Sequence, residues 1–233
     1  DKLNINFLIE ETEKIRVSRI NILGNNITRE NVIRNQFAID EGDLFNEILY
    51  AKTLNNIRSL NFFKNVNGQV LDDEKNESKI IELTVEEKPT GEIGASAGVG
   101  TSGNSIGVFI NENNYLGKGL GLSSNLVLST ESIKGLFSIK NPNFNDTDKS
   151  VYASLEATEI DKLKSSGYKT NKTGFSYGTQ FEILDDFEFG VGNKNFYQNI
   201  ETDSTASELR KKQKGDYLDS ILNFDFIYDK RNQ

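Results

Sequence analysis

The most constraining feature of this sequence is the strict alternation of residue types from Glu92 to Gly100. The odd-numbered positions carry apolar side chains: Ile93, Ala95, Ala97 and Val99. The even-numbered positions carry glutamate, serine and three glycines. A period of two residues is typical of a β-strand with one apolar face, and here the other face has almost no side chains to fix it by packing. We therefore expect a strand whose pairing is weakly held.

The chain changes character at Pro89, just before this strand. Upstream residues combine helical and strand patterns rich in Ile, Leu and Phe, whereas the residues after Gly91 form alternating segments with no helical signal. About eight strands are predicted there, at residues 92–100, 105–111, 120–128, 133–140, 151–158, 173–181, 187–191 and 217–228. The sequence thus predicts an α+β region followed by an all-β region.

The predicted connections between these strands alternate between short and long. Tight turns are expected at residues 141–148 and 185–186, and longer polar loops at 161–171 and 199–215. Short turns at one end of a sheet and long loops at the other are typical of an outer-membrane β-barrel. Polar residues on the opposite faces favour a barrel with a wet lumen: Asn125, Glu156, Glu188, Asp219 and Asp225. A soluble β-sandwich adhesin also shows alternation and is the alternative at this point.

The composition fits strands that are buried on one face only. Hydrophobic residues make up 36% of the 233 residues and the mean hydropathy is -0.52, yet the chain has 15 Phe and 8 Tyr. No apolar run reaches the roughly 18 residues that a membrane-spanning helix needs. The net charge of -8 argues against nucleic-acid binding, and the basic cluster at residues 210–214 is interpreted as a solvated loop.

The sequence contains no cysteine, histidine or methionine. Cysteine and serine–histidine nucleophiles, thiolate or imidazole metal sites and disulfides are therefore excluded. We expect no cofactor, no metal and no enzymatic activity. Because neither an initiator methionine nor a signal peptide is present, we expect the chain to be an internal segment of a longer protein.

Three motifs suggest ligand chemistry, but simpler interpretations fit them better. Residues 98–103 match GxGxxG, but a dinucleotide site needs a helix after it, and the pattern here predicts a hairpin. Residues 145–148 lack the glycine and terminal glutamate of a calcium loop. Asp219 and Asp225 share a strand face but would lie about 20 Å apart, too far for concerted acid–base catalysis.

Residues 14–88 have the pattern of a compact β-α-α-β-β unit. A strand at residues 14–22 precedes a short helix from Thr28, its expected N-cap, to residue 34. A second helix is expected from Asp43, again as N-cap, to residue 60. Strands at 62–71 and 79–88 complete the unit. The predicted core consists of Ile15, Val17, Ile20, Ile33, Leu54, Ile57, Phe62, Ile81 and Leu83.

Residues 1–13 resemble the end of a preceding unit of the same kind. The segments at 5–11 and 81–87 are both alternating strands that close with a pair of glutamates. This spacing indicates a string of small domains, and chance similarity between two strands is the alternative.

Several short motifs occur in a characteristic order along the chain. They are Gly24-Asn25, Leu60-Asn61-Phe62-Phe63-Lys64-Asn65-Val66, Asn113 to Gly119, Asn141 to Phe144, and Tyr228-Asp229-Lys230-Arg231. With these motifs the chain resembles the BamA family of outer-membrane β-barrel assembly factors. The resemblance implies the end of a POTRA domain at residues 1–13, an α+β POTRA domain at 14–89, and antiparallel transmembrane β-barrel strands at 90–233. Those strands would form the first half of a barrel of sixteen.

The resemblance also implies a function in the bacterial outer membrane, with the POTRA part in the periplasm. The protein would be a non-enzymatic factor that inserts β-barrel proteins into that membrane. Its implied partners are unfolded outer-membrane proteins, assembly-machine lipoproteins and outer-membrane lipid, and not nucleic acid. The alternative within the superfamily is a POTRA-barrel secretion transporter, of the two-partner or autotransporter-assembly type. A plain porin is a further alternative, although porins have no need of POTRA domains.

Two strands are predicted to bind clients or partners, because an edge strand offers unpaired backbone groups to an added strand. The first is the lateral-gate strand, made of Glu92, Ile93, Gly94, Ala95, Ser96, Ala97, Gly98 and Val99. The second is the POTRA edge strand, made of Phe62, Phe63, Asn65 and Val66. Relief of crowding in the lumen is the alternative explanation for the glycines of the gate strand. We also expect these eight strands to leave an open sheet with two edges.

Overall fold

The computed structural model of the chain describes residues 14–74, 76–100, 103–184 and 186–230. Contacts divide these residues into two units. Among the described residues, the first unit comprises those within 14–25 and 36–87, and the second those within 26–35 and 88–230. The strand predicted at 5–11 and the domain end predicted at 1–13 lie outside the described residues.

The first unit contains a three-stranded sheet with a helix packed on it. Its elements are β1 (Arg16–Leu23), α2 (Glu47–Ser59), β2 (Phe63–Asp73) and β3 (Ser78–Glu87), while α1 (Glu30–Arg34) belongs to the second unit. The strand order is β1-β3-β2, with β1 parallel and β2 antiparallel to the central β3. The predicted β-α-α-β-β order is therefore confirmed.

Helix α2 begins later than the sequence suggested. The expected N-cap, Asp43, instead accepts a hydrogen bond from the backbone N–H of Asp40 at 2.9 Å. The side chain of Asn46 caps the helix by accepting from the N–H groups of Ile48 (2.8 Å) and Leu49 (3.3 Å). Both Asp and Asn satisfy orphan N–H groups well, so the residue type alone did not distinguish them.

Branched side chains from two strands and a connecting segment meet in the core of the first unit. Val17, Ile20, Ile39 and Ile81 form one buried cluster, with Phe37 and Leu49 among the side chains packed against it. Burying a side chain of this size contributes about 1.5–3 kcal/mol. Most of the predicted core is buried, but Ile15 and Leu54 are only partly so, and Ile39 was not predicted.

The second unit is dominated by an eight-stranded antiparallel sheet in which each strand pairs with the next. Its strands are β4 (Gly91–Gly100), β5 (Gly103–Tyr115), β6 (Leu120–Ser129), β7 (Ser132–Asn141), β8 (Ser150–Lys162), β9 (Tyr168–Leu184), β10 (Phe187–Thr202) and β11 (Gly215–Tyr228). The order runs linearly from β11 to β4, so these two strands are the edges. The expected open sheet of eight strands is confirmed.

Four of these strands, β5, β8, β9 and β10, are several residues longer than the sequence predicted. The expected loops at 161–171 and 199–215 shrink to short connections that hold α3 (Leu163–Ser166) and α4 (Glu208–Lys212). Apolar alternation stops before the pairing does, because cross-strand ion pairs take over where the strands become polar. Lys169 on β9 lies 2.9 Å from Glu159 on β8, and Lys162 at the end of β8 lies 3.2 Å from Glu131 in the turn between β6 and β7.

The register gives the sheet one apolar and one mixed face. Ile93 lies opposite Ile110, and Ile106 lies opposite Leu128, so apolar side chains of adjacent strands share a face. Polar side chains lie on the other face. Glu156 on β8 and Asp219 on β11 are an example, because the register across β9 and β10 places them on the same side of the sheet. A lipid-facing apolar surface backed by a polar interior is the pattern of a transmembrane barrel wall.

The segment 26–35 is bound to the turn between β5 and β6. The N–H of Arg29 donates to the carbonyl of Gly117 at 2.8 Å. The buried Asn114 donates its side-chain amide to the Thr28 hydroxyl at 2.9 Å and accepts from the N–H of Gly119 at 2.7 Å. The prediction that Thr28 caps α1 was wrong, since the N-cap is Arg29, without a side-chain bond.

A second turn also binds this segment. Asn31 and Asn35, one helical turn apart, both donate side-chain amides to Oδ1 of Asp146, at 2.8 and 3.0 Å. These bonds hold the pKa of Asp146 below its usual range, with Asn35 contributing most. Asp146 therefore serves as a structural acceptor within the turn between β7 and β8.

Candidate functional site

Strand β4 is a sheet edge whose two sides differ in backbone pairing. Thr90 accepts from the N–H of Asn113 at 3.4 Å, which makes this a bonded pair of the β4–β5 ladder. Asn104 lies opposite Val99 but accepts from the N–H of Thr130 at 3.2 Å instead. Bonded and non-bonded pairs alternate in an antiparallel ladder, so even-numbered residues of β4 bond to β5. The odd-numbered residues point their N–H and C=O groups toward the free edge: Ile93, Ala95, Ala97 and Val99.

The same odd-numbered residues carry the apolar side chains of β4, and the described residues cover them poorly. Ile93 is 80% exposed and Val99 is 86% exposed. Both side chains therefore gain little from packing, and the strand depends on its ladder to β5. Free backbone groups and apolar side chains thus occur together along one edge.

The three glycines at even-numbered positions of β4 have different surroundings. A Cβ at Gly94 would lie 2.2 Å from the ring of Phe109 on β5, so this ring occupies the space that a side chain would need. A Cβ at Gly98 would meet nothing closer than 3.5 Å, and one at Gly100 nothing within 4 Å. Packing therefore requires glycine at position 94, as the crowding alternative expected, but does not require it at 98 or 100.

The beginning of β4 is fixed by Glu112, a residue that strand alternation did not single out. Its carboxylate accepts hydrogen bonds from the Thr90 hydroxyl and, at 2.8 Å, from the N–H of Asn114. The strand is thus anchored at its start, next to Thr90, and is more weakly held toward Val99. The position of Glu112, where apolar alternation on β5 ends, was the available signal.

The predicted POTRA edge strand is indeed an edge, because β2 lies outermost in its sheet. Phe62, just before β2, and Phe63 are buried and pack edge to face, so their side chains belong to the core. Asn65 donates to Glu86, and the Val66 carbonyl accepts from Arg58 at 3.3 Å. The hydrogen bond from Lys64, and then that from Asn65, holds the pKa of Glu86 below its usual range.

The motifs that suggested ligand chemistry form structural features instead. Strand β4 ends at Gly100 and its antiparallel partner β5 begins at Gly103, so the glycine motif is followed by a strand and not by the helix that a dinucleotide site needs. Asp219 and Asp225 lie six residues apart on β11, opposite Phe196 and Gly190. Among the residues that the structure describes, no group of three acidic side chains is placed to hold a metal ion, and no helix is long and apolar enough to cross a membrane.

A β-α-α-β-β unit followed by transmembrane-type strands defines the class of POTRA-barrel outer-membrane proteins. The POTRA family, described as a surface antigen variable number repeat, matches residues 15–88, and the Omp85 superfamily domain matches residues 114–233. The chain belongs to the Omp85 superfamily, with its barrel strands in the bacterial outer membrane and its POTRA domain in the periplasm.

Distant relatives match nearly the whole chain. The outer membrane protein assembly factor BamA of Neorickettsia risticii is 25% identical, over 98% of this chain and 31% of the relative. BamA of Nitratidesulfovibrio vulgaris is 22% identical, over 97% and 29% respectively. The chain therefore spans about a third of the length of these relatives.

Solved structures confirm the fold. BamA from Haemophilus ducreyi lacking POTRA domains 1–3 superposes with a TM-score of 0.74 at 21% identity, covering 93% of this chain and 43% of that chain. CdiB from Escherichia coli superposes with a TM-score of 0.56 at 12% identity, covering 90% and 39%.

Proposed function

We propose that this chain is the barrel-proximal POTRA domain and the first half of the barrel of a BamA-type assembly factor. In this proposal the POTRA domain spans residues 14–89 and the barrel half spans residues 90–233. The factor acts without enzymatic chemistry on unfolded outer-membrane proteins, together with assembly lipoproteins and outer-membrane lipid. The BamA relatives and the BamA fold support this function.

The proposed mechanism is strand addition at β4. A backbone N–H or C=O left unpaired in the bilayer costs several kcal/mol, so a client strand gains strongly by pairing with a free edge. The observation that carries the proposal is the placement of free backbone groups on the odd-numbered residues of β4, beside apolar side chains that would face lipid. Anchoring by Glu112 keeps the start of the template fixed while its far end can separate.

A secretion transporter of the POTRA-barrel superfamily is the alternative function for the same fold. CdiB shares the fold with a lower TM-score, 0.56 against 0.74 for BamA. A transporter would use the lumen as its path, so its activity would not depend on backbone donors along the free edge of β4. The two functions therefore predict different results for one pair of proline substitutions.

Along β4, residues whose backbone groups bond to β5 alternate with residues whose backbone groups point to the free edge. This alternation defines the pair of proline substitutions. Ala97→Pro removes an N–H that points to the free edge and leaves the β5 ladder intact, whereas Ser96→Pro removes a donor to β5. Ala97→Val keeps every donor. In full-length protein reconstituted in liposomes, we expect Ala97→Pro to reduce client insertion at least tenfold while its barrel still shows heat-modifiable migration.

Ala97→Val should insert clients at close to the wild-type rate. Ser96→Pro should weaken the folded barrel itself, seen as a lower temperature for the loss of heat-modifiable migration. Wild-type insertion by a folded Ala97→Pro barrel would show that this edge is not the template.

A further inference from the structure

The segment 26–35 and the turns that bind it line an open-sided cavity that the proposed function does not use. Its volume is about 260 Å³. This volume gives room for a small polar headgroup. The lining includes Arg29, Asn31, Asn35, Lys118, Asn143 and Asp146.

The cavity lies where the apolar face of the sheet ends. Leu120 and Asn141 both line it, and the pairing of Gly121 with Lys140 places these two residues opposite each other on β6 and β7. Leu120 is the first residue of β6 and Asn141 is the last of β7, so an apolar and a polar side chain lie next to each other at the ends of these strands. The turn before β6 and the turn after β7 lie at the end of the sheet where the chain enters β4. In an outer-membrane barrel this is the end with the short periplasmic turns, so the cavity is at the depth of the periplasmic leaflet's headgroups.

The charges around the cavity fit a phosphate. Arg29 and Lys118 are exposed cations, and neither forms an ion pair with any residue that the structure describes. The one carboxylate in the lining, Asp146, already accepts two amide donors on a single oxygen. Its second oxygen can accept a hydrogen bond from a headgroup amine or hydroxyl. The two cations beside it can bind the phosphodiester.

The rim of the cavity suits acyl chains better than water. Ile27 and Leu116 are 70% and 65% exposed, and Phe144 on the next turn is also exposed. Exposed apolar side chains beside cations are typical of surfaces that lie in the headgroup region of a membrane. A free phosphate ion would gain nothing from these three side chains, whereas a lipid would contact them with its acyl chains.

We propose that this cavity is a binding site for the headgroup of a glycerophospholipid of the periplasmic leaflet. Arg29 and Lys118 bind the phosphodiester, Asp146 accepts from the headgroup substituent, and the acyl chains lie along Ile27, Leu116 and Phe144. The bound lipid would tie the segment 26–35 and its two turns to the bilayer. This inference depends on the outer-membrane location and not on the proposed insertase activity.

The test compares lipid retention by two charge-matched variants. One is Arg29→Gln with Lys118→Gln, and the control is Lys212→Gln with Lys214→Gln, which removes two exposed cations from α4 and the residues after it. Full-length protein, purified in mild detergent, is titrated with phosphatidylethanolamine or phosphatidylglycerol and observed by native mass spectrometry. We expect the cavity variant to lose one bound phospholipid, with at least tenfold weaker binding, and the control to keep it.

Further arms separate the lipid from other anions. Inorganic phosphate at 10 mM should not displace the phospholipid, because the ion lacks acyl chains. The single variant Lys118→Gln, at an exposed position, covers the case in which the double variant fails to fold. Equal lipid retention by folded cavity and control variants would overturn the proposal, as would displacement by inorganic phosphate or by an acidic peptide alone.

Discussion

At the scale of single residues, Gly94 and Gly98 show that the same residue type can occur in one strand for different physical reasons. Gly94 leaves room for the ring of Phe109, while Gly98 has no neighbour that would exclude a side chain. Glycine in a strand lowers stability through backbone entropy. Position 98 accepts that loss without any packing benefit, which supports the proposal that the far end of β4 separates from β5.

This difference gives a prediction for alanine substitutions. Gly94→Ala should displace the Phe109 ring and lower the barrel's unfolding free energy by about 1–3 kcal/mol, the usual cost of overpacking. Gly98→Ala should be neutral or slightly stabilising, because alanine reduces the entropy of the unfolded chain. Urea titration of the full-length protein, followed by heat-modifiable migration, would measure both.

The Phe109→Ala background provides the control. With the ring removed, Gly94→Ala should lose most of its cost, so the two substitutions should be strongly non-additive. Equal effects of alanine at positions 94 and 98 would contradict the assignment.

At the scale of elements, sequence reasoning succeeded where the signal is local and failed where the partner is distant. The eight strands and their apolar faces were predictable because the alternation of apolar and polar residues is visible in consecutive positions of the sequence. The ends of β8, β9 and β10 were not, because their polar extensions are held by ion pairs such as Lys169–Glu159 across strands. Thr28 was predicted to cap α1 from its neighbours in the sequence. Its actual partner, Asn114, lies 86 residues away, so local sequence could not reveal it.

The Thr28–Asn114 bond is testable as an element-scale contact. Asn114 is buried and satisfies both Thr28 and the N–H of Gly119, so Asn114→Ala should cost about 1–3 kcal/mol of local stability. Thr28→Val removes one bond and should cost less. Hydrogen exchange of residues 114–119 in the full-length protein would report both changes.

A double-mutant cycle separates the pair from each residue's other contacts. In the Asn114→Ala background, Thr28→Val should have a smaller effect than in the wild type. Strict additivity would show that the two side chains do not act together.

At the scale of the whole molecule, the contact units and the family matches divide the chain differently. The POTRA family matches residues 15–88, yet residues 26–35 of that range have their contacts in the second unit. The sequence of residues 26–35 does not predict that they contact the second unit. Asn31 and Asn35 are ordinary surface residue types, and their partner Asp146 is more than a hundred residues away. The candidate gate strand, by contrast, was visible from its own residues.

This division sharpens the expectation that residues 14–88 fold alone. The buried cluster around Val17, Ile39 and Ile81 is complete without the barrel strands, so the isolated segment should melt cooperatively. Residues 26–35 should exchange their amide hydrogens fast in isolation, since Asn114, Gly117 and Asp146 are then missing. In the full-length protein the same amides should be protected.

Circular dichroism and hydrogen exchange of the isolated segment would check this. A random-coil spectrum with a featureless thermal scan would refute independent folding. Equal protection of residues 26–35 with and without the barrel would show that their bonds to the turns carry no stability.

The free edge of β4 has a consequence for what it can recognise. Its odd-numbered residues combine outward backbone groups with lipid-side apolar side chains, and a one-residue slip of a partner strand would turn that partner's apolar set to the wrong side of the sheet. In the proposed function, the edge therefore selects the phase of alternation in an incoming chain and ignores its particular side chains. A template of this kind needs no consensus sequence, and one strand suffices for many unrelated clients.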